Sequence, residues 1–187
     1  NKKVKFDMIR FYDLIAAEEK PTTLPSIAPD VQQMFQAKLD EADGNGAKLK
    51  LCRSELMDPA RKNYFRKMAA MDFLVEMLEA DALGDLLPYL GQDYWRLRQH
   101  SQKLAVELVK TGAKDQLATL FTETKDPQAA AGILEVFATS GSDTGLKLAK
   151  DAMNHDEPIV RRAAVRTAFA LGGDALLPDI LAHLKQS

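Results

Sequence analysis

Residues 155–184, HDEPIVRRAAVRTAFALGGDALLPDILAHL, decide the fold. Val160, Ala163, Ala164, Thr167, Ala168 and Leu171 recur at intervals of three and four residues, the spacing that lines side chains along one face of a helix. Gly172-Gly173 breaks the pattern, and a second helix follows from Asp174. The stretch therefore reads as helix, glycine turn, helix.

Upstream the same unit recurs in weaker form. Asp126-Pro127 opens QAAAGILEVFATSG and then SDTGLKLAKDAM, with Ala130, Ile133, Leu134, Phe137 and Ala138 on the first helix's face. A unit from Asp93 runs YWRLRQHSQKLAVELVKTG and then AKDQLATLFTE, aligning Leu97, Ser101, Leu104, Ala105 and Leu108. Before it, Asp58-Pro59 signals the start of a helix over 59–80, because Asp accepts free first-turn amides and Pro is tolerated at the first position. That helix is apolar almost all round between Ala69 and Leu78, which predicts that it is sandwiched between neighbours. ADALGDLLPYL follows, with Leu83, Leu86, Leu87 and Leu90 on one face.

Turn glycines set the register: Gly112 to Gly141 is 29 residues and Gly141 to Gly172 is 31. Asp115, Asp143 and Asp174 follow them as expected N-caps. A helix pair with a broad apolar face cannot bury it alone, so stacked pairs share one continuous core.

Residues 157–184 resemble the short HEAT-like repeat of the phycobilin-lyase type, through Val160, Arg161, Ala164, Ala168, Leu171, Gly172, Asp174, Leu177, Pro178 and Leu181. In the middle repeats Leu97-Arg98 comes close to that repeat's Val-Arg pair and Ala130-Ala131 departs from it. The resemblance covers about residues 58–187 and implies an all-α, right-handed α-solenoid of about four HEAT-like helix pairs. In such a fold the second helices, here about 82–90, 115–123, 144–153 and 175–185, line the concave side. They would present Asp85, Gln116, Thr119, Lys147, Lys150, Asp151, Asp179 and His183 to a partner. Repeats of this kind occur in scaffolds, bilin lyases and a class of DNA glycosylases, so function must be argued from a site.

Residues 1–57 form a separate N-terminal helical extension or cap. Val4, Met8, Phe11, Tyr12 and Ile15 give helical spacing over 2–19, and Pro21, Pro25 and Pro29 mark an extended connector at 21–29. Val31, Met34, Phe35 and Ala42 share a face over 30–42, and Asp43-Gly44-Asn45-Gly46 stops that helix. Residues 47–56 are ambiguous: Leu49, Cys52 and Leu56 suit a helix, while Leu49 and Leu51 alternate.

Composition narrows the function classes. Hydrophobic residues make up 46% and charged residues 28%, the balance of a globular chain rather than a disordered one. A net charge of −2 disfavours a purely electrostatic nucleic-acid binder. One cysteine, Cys52, excludes an internal disulfide and a cysteine zinc cluster. No apolar run is long enough to span a membrane. The compartment is undetermined. The reading leans to the cytoplasm, and export stays open because the chain begins at Asn1.

Several groups of side chains carry chemistry worth locating. Tyr89, Tyr94 and Trp95 with Arg96 and Arg98 form an aromatic and basic loop over 89–98 that could stack a planar ligand or a base. Its alternative is packing, with Tyr94 and Trp95 filling the gap between the long helix and the next repeat. Arg161 and Arg162 could grip an anion, or pair with Asp156 and Asp174 within the repeat. His155-Asp156-Glu157 offers ligand types that do not converge, and His100 reads as a partly buried packing residue, so no metal is expected. Cys52 has Lys50 and Arg53 beside it, which could lower a thiol pKa, but its helical spacing reads as core. Lys48, Lys50, Arg53, Arg61, Lys62, Arg66 and Lys67 form a basic stretch that reads as a solvated face or a patch for an acidic partner.

No catalytic set, phosphate loop or cofactor motif is present, so the leading expectation is a non-enzymatic protein–protein interaction or scaffold module with no cofactor. Its partner would be another protein or another domain of the same chain, touched through Tyr89, Tyr94, Trp95, Arg96, Arg98, Lys147, Lys150 and His183. The alternative is an enzyme or enzyme subunit, bilin-lyase-like or glycosylase-like, acting on a planar ligand or nucleic acid through loop 89–98. A homo-oligomer docking through 1–57 or Ile180–Leu184 is a third reading.

Overall fold

The computed structural model describes residues 29–59 and 64–173. Helix α1 spans Pro29–Glu41 and α2 spans Gly44–Met57. Helix α3 spans Tyr64–Leu78, and a 3-10 turn over Glu79–Ala82 leads into α4, Leu83–Leu90. Helix α5 covers Trp95–Leu108, and a π-type turn over Val109–Ala113 joins it to α6, Lys114–Glu123. Helices α7, Pro127–Ser140, α8, Asp143–Ala152, and α9, Pro158–Gly172, complete the set. The protein is all-α, with no strand among the described residues. The helix over 2–19, the connector at 21–29 up to its last residue, and the second helix at 175–185 with Asp174, Asp179 and His183 lie outside them, as do Arg61 and Lys62.

Local chemistry explains most boundaries. The Asp126 carboxylate accepts the Gln128 amide at 2.9 Å with Pro127 as first helical residue, so α7 starts where the Asp-Pro pair requires. Gly141, at φ 72°, ends α7, its amide donating to the Phe137 carbonyl at 3.1 Å. Gly112, at φ 123°, bends the chain between α5 and α6. At the third turn the register shifts. Helix α9 runs through Gly172, and Gly173 takes the positive φ of 58°, its amide donating to the Phe169 carbonyl.

Other boundaries correct the sequence reading. Asp115 and Asp143 are not N-caps, since Ala113 and Ser142 hold those places. The two carboxylates lie in the first turns, where the helix dipole favours negative charge. Asp58 closes α2 as its C-cap, and the helix start expected at 59 runs into residues 60–63, which lie outside the described ones. Gly44-Asn45-Gly46 does more than stop α1: with Gly44 at φ 78° it forms the first turn of α2. The ambiguous segment 47–56 is thus helical, with Cys52 and Leu56 buried. The buried face of α1 carries Phe35 and Leu39, both 2% exposed, while Met34 faces solvent at 65%.

Helices α3, α5, α7 and α9 contact one another in series, and α4, α6 and α8 do the same. Helices α1 and α2 both rest on α3. Its neighbours α1, α2, α4 and α5 surround α3, which accounts for a sequence apolar almost all round.

The buried residues divide into two clusters that share α7. Ile133, Val136 and Phe137 belong to the larger cluster, which runs from Phe35 to Phe137. Ala130, Ala131 and Leu134 belong to the smaller, which extends to Ala168. That second cluster is rich in alanine, including Ala149, Ala152, Ala163 and Ala164, so α7, α8 and α9 pack around small side chains. Packing is equally tight where the α4–α5 loop crosses α7. A β-carbon on Gly91 would fall 1.8 Å from the Gln128 carbonyl oxygen, and one on Gly132 2.4 Å from the Leu90 carbonyl.

Candidate functional site

The aromatic and basic loop is built from the end of α4 and the start of α5, and the structure disperses its members. Tyr89 is buried, and its hydroxyl donates to the Leu56 carbonyl at 2.5 Å. Burial holds that phenol above its ordinary pKa of 10.0, so at neutral pH it keeps its proton and donates. Tyr94 is half-buried, its ring 5.5 Å from the Tyr64 ring, and burial and then Tyr64 raise its phenol pKa. Arg98 turns inward to donate to the Gln92 carbonyl at 2.7 Å. Arg96 donates to the Tyr64 hydroxyl at 2.6 Å. Its guanidinium carbon lies 5.1 Å from the Tyr64 ring and 5.2 Å from the Trp95 ring.

Trp95 differs from its neighbours. It is 48% exposed, which corrects the expectation that it fills the gap between the long helix and the next repeat. As the first residue of α5 it projects outward, and Tyr64 and Tyr94 occupy the place its ring was expected to take.

Beneath the loop is a cavity of about 570 Å³ bounded by Leu56, Lys67, Tyr89, Gln92, Tyr94 and Leu97 among others. Trp95 does not line it. Lys67 is buried there and donates to the carbonyls of Leu56, at 2.8 Å, and of Asp58. These bonds satisfy the free carbonyls at the C-terminus of α2, which explains a lysine on the inner face of α3. The Gln92 carboxamide oxygen is buried without a hydrogen-bond partner among the described residues.

The basic stretch is not a continuous patch. Arg53 holds Asp85 bidentately, with contacts of 3.0 Å from Nε and from Nη2. Arg66 pairs with Glu55 at 3.0 Å, and Lys67 is internal. Lys48 and Lys50 make no ion pair or side-chain hydrogen bond among the described residues, and of the two Lys50 is the exposed one. Cys52 is fully buried, and burial followed by Glu55 pushes its thiol up to about 11. The neighbouring cations therefore do not activate it.

The polar positions of the second helices are likewise mixed. Asp85 is committed to Arg53, Gln116 donates to Asp81 at 3.2 Å, and Thr119 bonds back to the Asp115 carbonyl. Lys147, Lys150 and Asp151 on α8 are exposed. His100 is partly buried and lies 2.8 Å from Asp72. The His155 ring accepts the Glu157 amide at 3.0 Å. Arg161 reaches the backbone carbonyls of His155 and Asp156, each at 2.8 Å, rather than the expected Asp156 carboxylate. Main-chain carbonyls of the loop before α9 thus hold Arg161. Among the described residues no three His, Cys, Asp or Glu side chains gather around a point that could hold a metal ion. None of the described helices is long and apolar enough to cross a membrane.

One cluster was not assembled from the sequence. Arg98 of α5 and Arg162 and Arg166 of α9 meet around a cleft of about 250 Å³ on α7, with Glu135 among them. Arg166 takes one Glu135 oxygen at 2.8 Å and Gln102 takes the other at 2.9 Å. The signal available in the sequence was the helical offset of Arg162 and Arg166. Its link to Arg98 depends on how α5, α7 and α9 stack.

No family model, curated relative or solved structure matches the chain.

Proposed function

We propose that this chain is a non-enzymatic protein-interaction module, built as a right-handed solenoid of short HEAT-like helix pairs with α1 and α2 as part of an N-terminal cap. The reading is carried by the serial contacts of α3, α5, α7 and α9 alongside those of α4, α6 and α8. Such stacking makes an extended surface from repeated units. The side chains best suited to chemistry support it too, because Tyr89, Lys67 and Cys52 are consumed by the fold. Exposed Lys147 and Lys150 on α8 and exposed Trp95 and Phe169 remain for a partner.

A photo-reactive residue placed at Phe169, and separately at Glu107 as a reference, tests this in the cell of origin. The expected result is one protein adduct specific to Phe169, whose purified form then binds the chain directly. Adducts identical at both positions would sink the reading.

The second reading, a planar-ligand or nucleic-acid enzyme or subunit, is favoured by the cavity beside Tyr89 and Tyr94 and by the buried Gln92 oxygen, which has no partner among the described residues. Titration with biliverdin and with a single-stranded oligonucleotide, read by absorbance and by Trp95 emission, separates the two. A saturable signal abolished by Tyr94→Ala supports the second reading over the first.

A further inference from the structure

We infer that the cleft between α5, α7 and α9 docks an acidic peptide segment of a partner protein; this rests on the interaction-module reading and names the partner's chemistry. Three guanidiniums, from Arg98, Arg162 and Arg166, border the cleft with one carboxylate, Glu135. Both Glu135 oxygens are already occupied, by Arg166 and Gln102. Arg98 spends one donor on the Gln92 carbonyl. Arg162 is exposed and has no hydrogen-bond or ion-pair partner among the described residues. A guanidinium carries five donors in a planar fork that matches a carboxylate, so the cleft retains unspent capacity of one sign.

The surroundings reinforce that sign. Gln128 and Ile159, second residues of α7 and α9, also line the cleft, placing it beside two helix N-termini with their partial positive charge. The floor includes Gly91 and Gly132, where the α4–α5 loop packs main chain to main chain on α7. Phe169, 47% exposed, lies seven residues after Arg162 on the same face of α9 and offers an apolar contact to a side-chain stem.

The donors also discriminate among anions. A dedicated phosphate site is made from converging backbone amides. Here they are side chains spread over two helices, which suits carboxylates on separate residues of one strand. A nucleic-acid backbone would need a longer basic track than a chain of net charge −2 displays around one cleft.

The test is fluorescence anisotropy of a fluorescein-labelled hexaglutamate peptide with the full chain. Wild type is expected to bind, with affinity falling as salt is raised. Arg162→Glu, at an exposed side chain without a partner among the described residues, is expected to weaken binding by about tenfold or more. Lys114→Ala/Lys125→Ala, at exposed lysines outside the cleft, is expected to bind as wild type does. Circular dichroism melts of both variants establish that they fold. Absence of hexaglutamate binding by wild type overturns the inference, as does an equal loss in the lysine variant. Tighter binding of a single-stranded oligonucleotide through Arg162, or full displacement by inorganic phosphate at equal charge, also overturns it. A protein partner that binds wild type and Arg162→Glu alike leaves the interaction reading standing and removes the cleft from it.

Discussion

Gly132 and Leu90 are in backbone contact: a β-carbon at Gly132 would lie 2.4 Å from the Leu90 carbonyl carbon and oxygen. The opposing atoms are main chain and cannot rotate away. Gly132→Ala is therefore expected to destabilise the protein by about 3 kcal/mol or more, at the upper end for overpacking, although alanine favours a helix. Urea unfolding measures this. A midpoint at or above that of wild type would show that α7 can shift off the loop.

Tyr89 and Lys67 both donate to the Leu56 carbonyl. Tyr89→Phe is expected to cost about 1 kcal/mol, the net value of one neutral hydrogen bond. Lys67→Met is expected to cost about 1–3 kcal/mol, because the Asp58 carbonyl also loses its donor. The double variant should lose more than the two single losses combined if either donor alone satisfies Leu56, because only then is that carbonyl left unpaired. A double-mutant cycle by chemical denaturation checks this, and strict additivity would show that the shared acceptor is irrelevant.

Cys52 supplies a pH signature. Its folded thiol, at about 11, sits above the ordinary value of 9.0. The unfolded chain therefore loses this proton first as pH rises. The associated stability is present in full below about pH 9 and declines toward pH 11. Between those values Cys52→Ala is expected to flatten the fall in stability seen in wild type. At pH 8 the native thiol should resist a colorimetric disulfide reagent and react on unfolding. Rapid labelling of the native protein would contradict its burial.

The Arg53–Asp85 pair joins α2 to α4, with side-chain exposures of 49% and 18%. Its exposure limits its value, so Asp85→Ala is expected to cost about 0.3–1 kcal/mol and to matter less at high salt. Thermal melts at two ionic strengths check both the size and the trend.

Helical periodicity and turn chemistry made much of this fold legible. The faces of α7 and α9 were readable because Ile133, Leu134 and Phe137, or Val160, Ala164 and Ala168, recur at helical intervals. Asp126 was readable as a cap because Pro127 follows it. Boundaries failed where two residues could do one job. Gly172 and Gly173 are both able to leave a helix, and Ser142 precedes Asp143 with an equally suitable side chain. Met34 and Phe35 are adjacent and apolar, so periodicity alone could not say which turns inward.

The candidate site was less legible because its chemistry brings together residues about thirty to sixty positions apart in the chain. Nothing near Arg53 in the chain announces Asp85, and nothing near Arg98 announces Arg162. The basic stretch looked continuous as a string, but Arg66 and Lys67 are drawn onto Glu55 and onto the last carbonyls of α2. Trp95 looked like core because it is large. Its place as the first residue of α5 sets its outward direction.

Helix α7 contributes to both hydrophobic clusters, with Ile133, Val136 and Phe137 on one side and Ala130, Ala131 and Leu134 on the other. It therefore acts as a party wall between two units. Opening α8 and α9 away from α7 exposes the alanine-rich side and also uncovers Phe137, which packs on Gly145 of α8, so the two units are coupled through that ring. Amides in α9 should exchange with solvent before those in α3, and a ligand bridging Arg98 and Arg162 would span that seam and slow the opening.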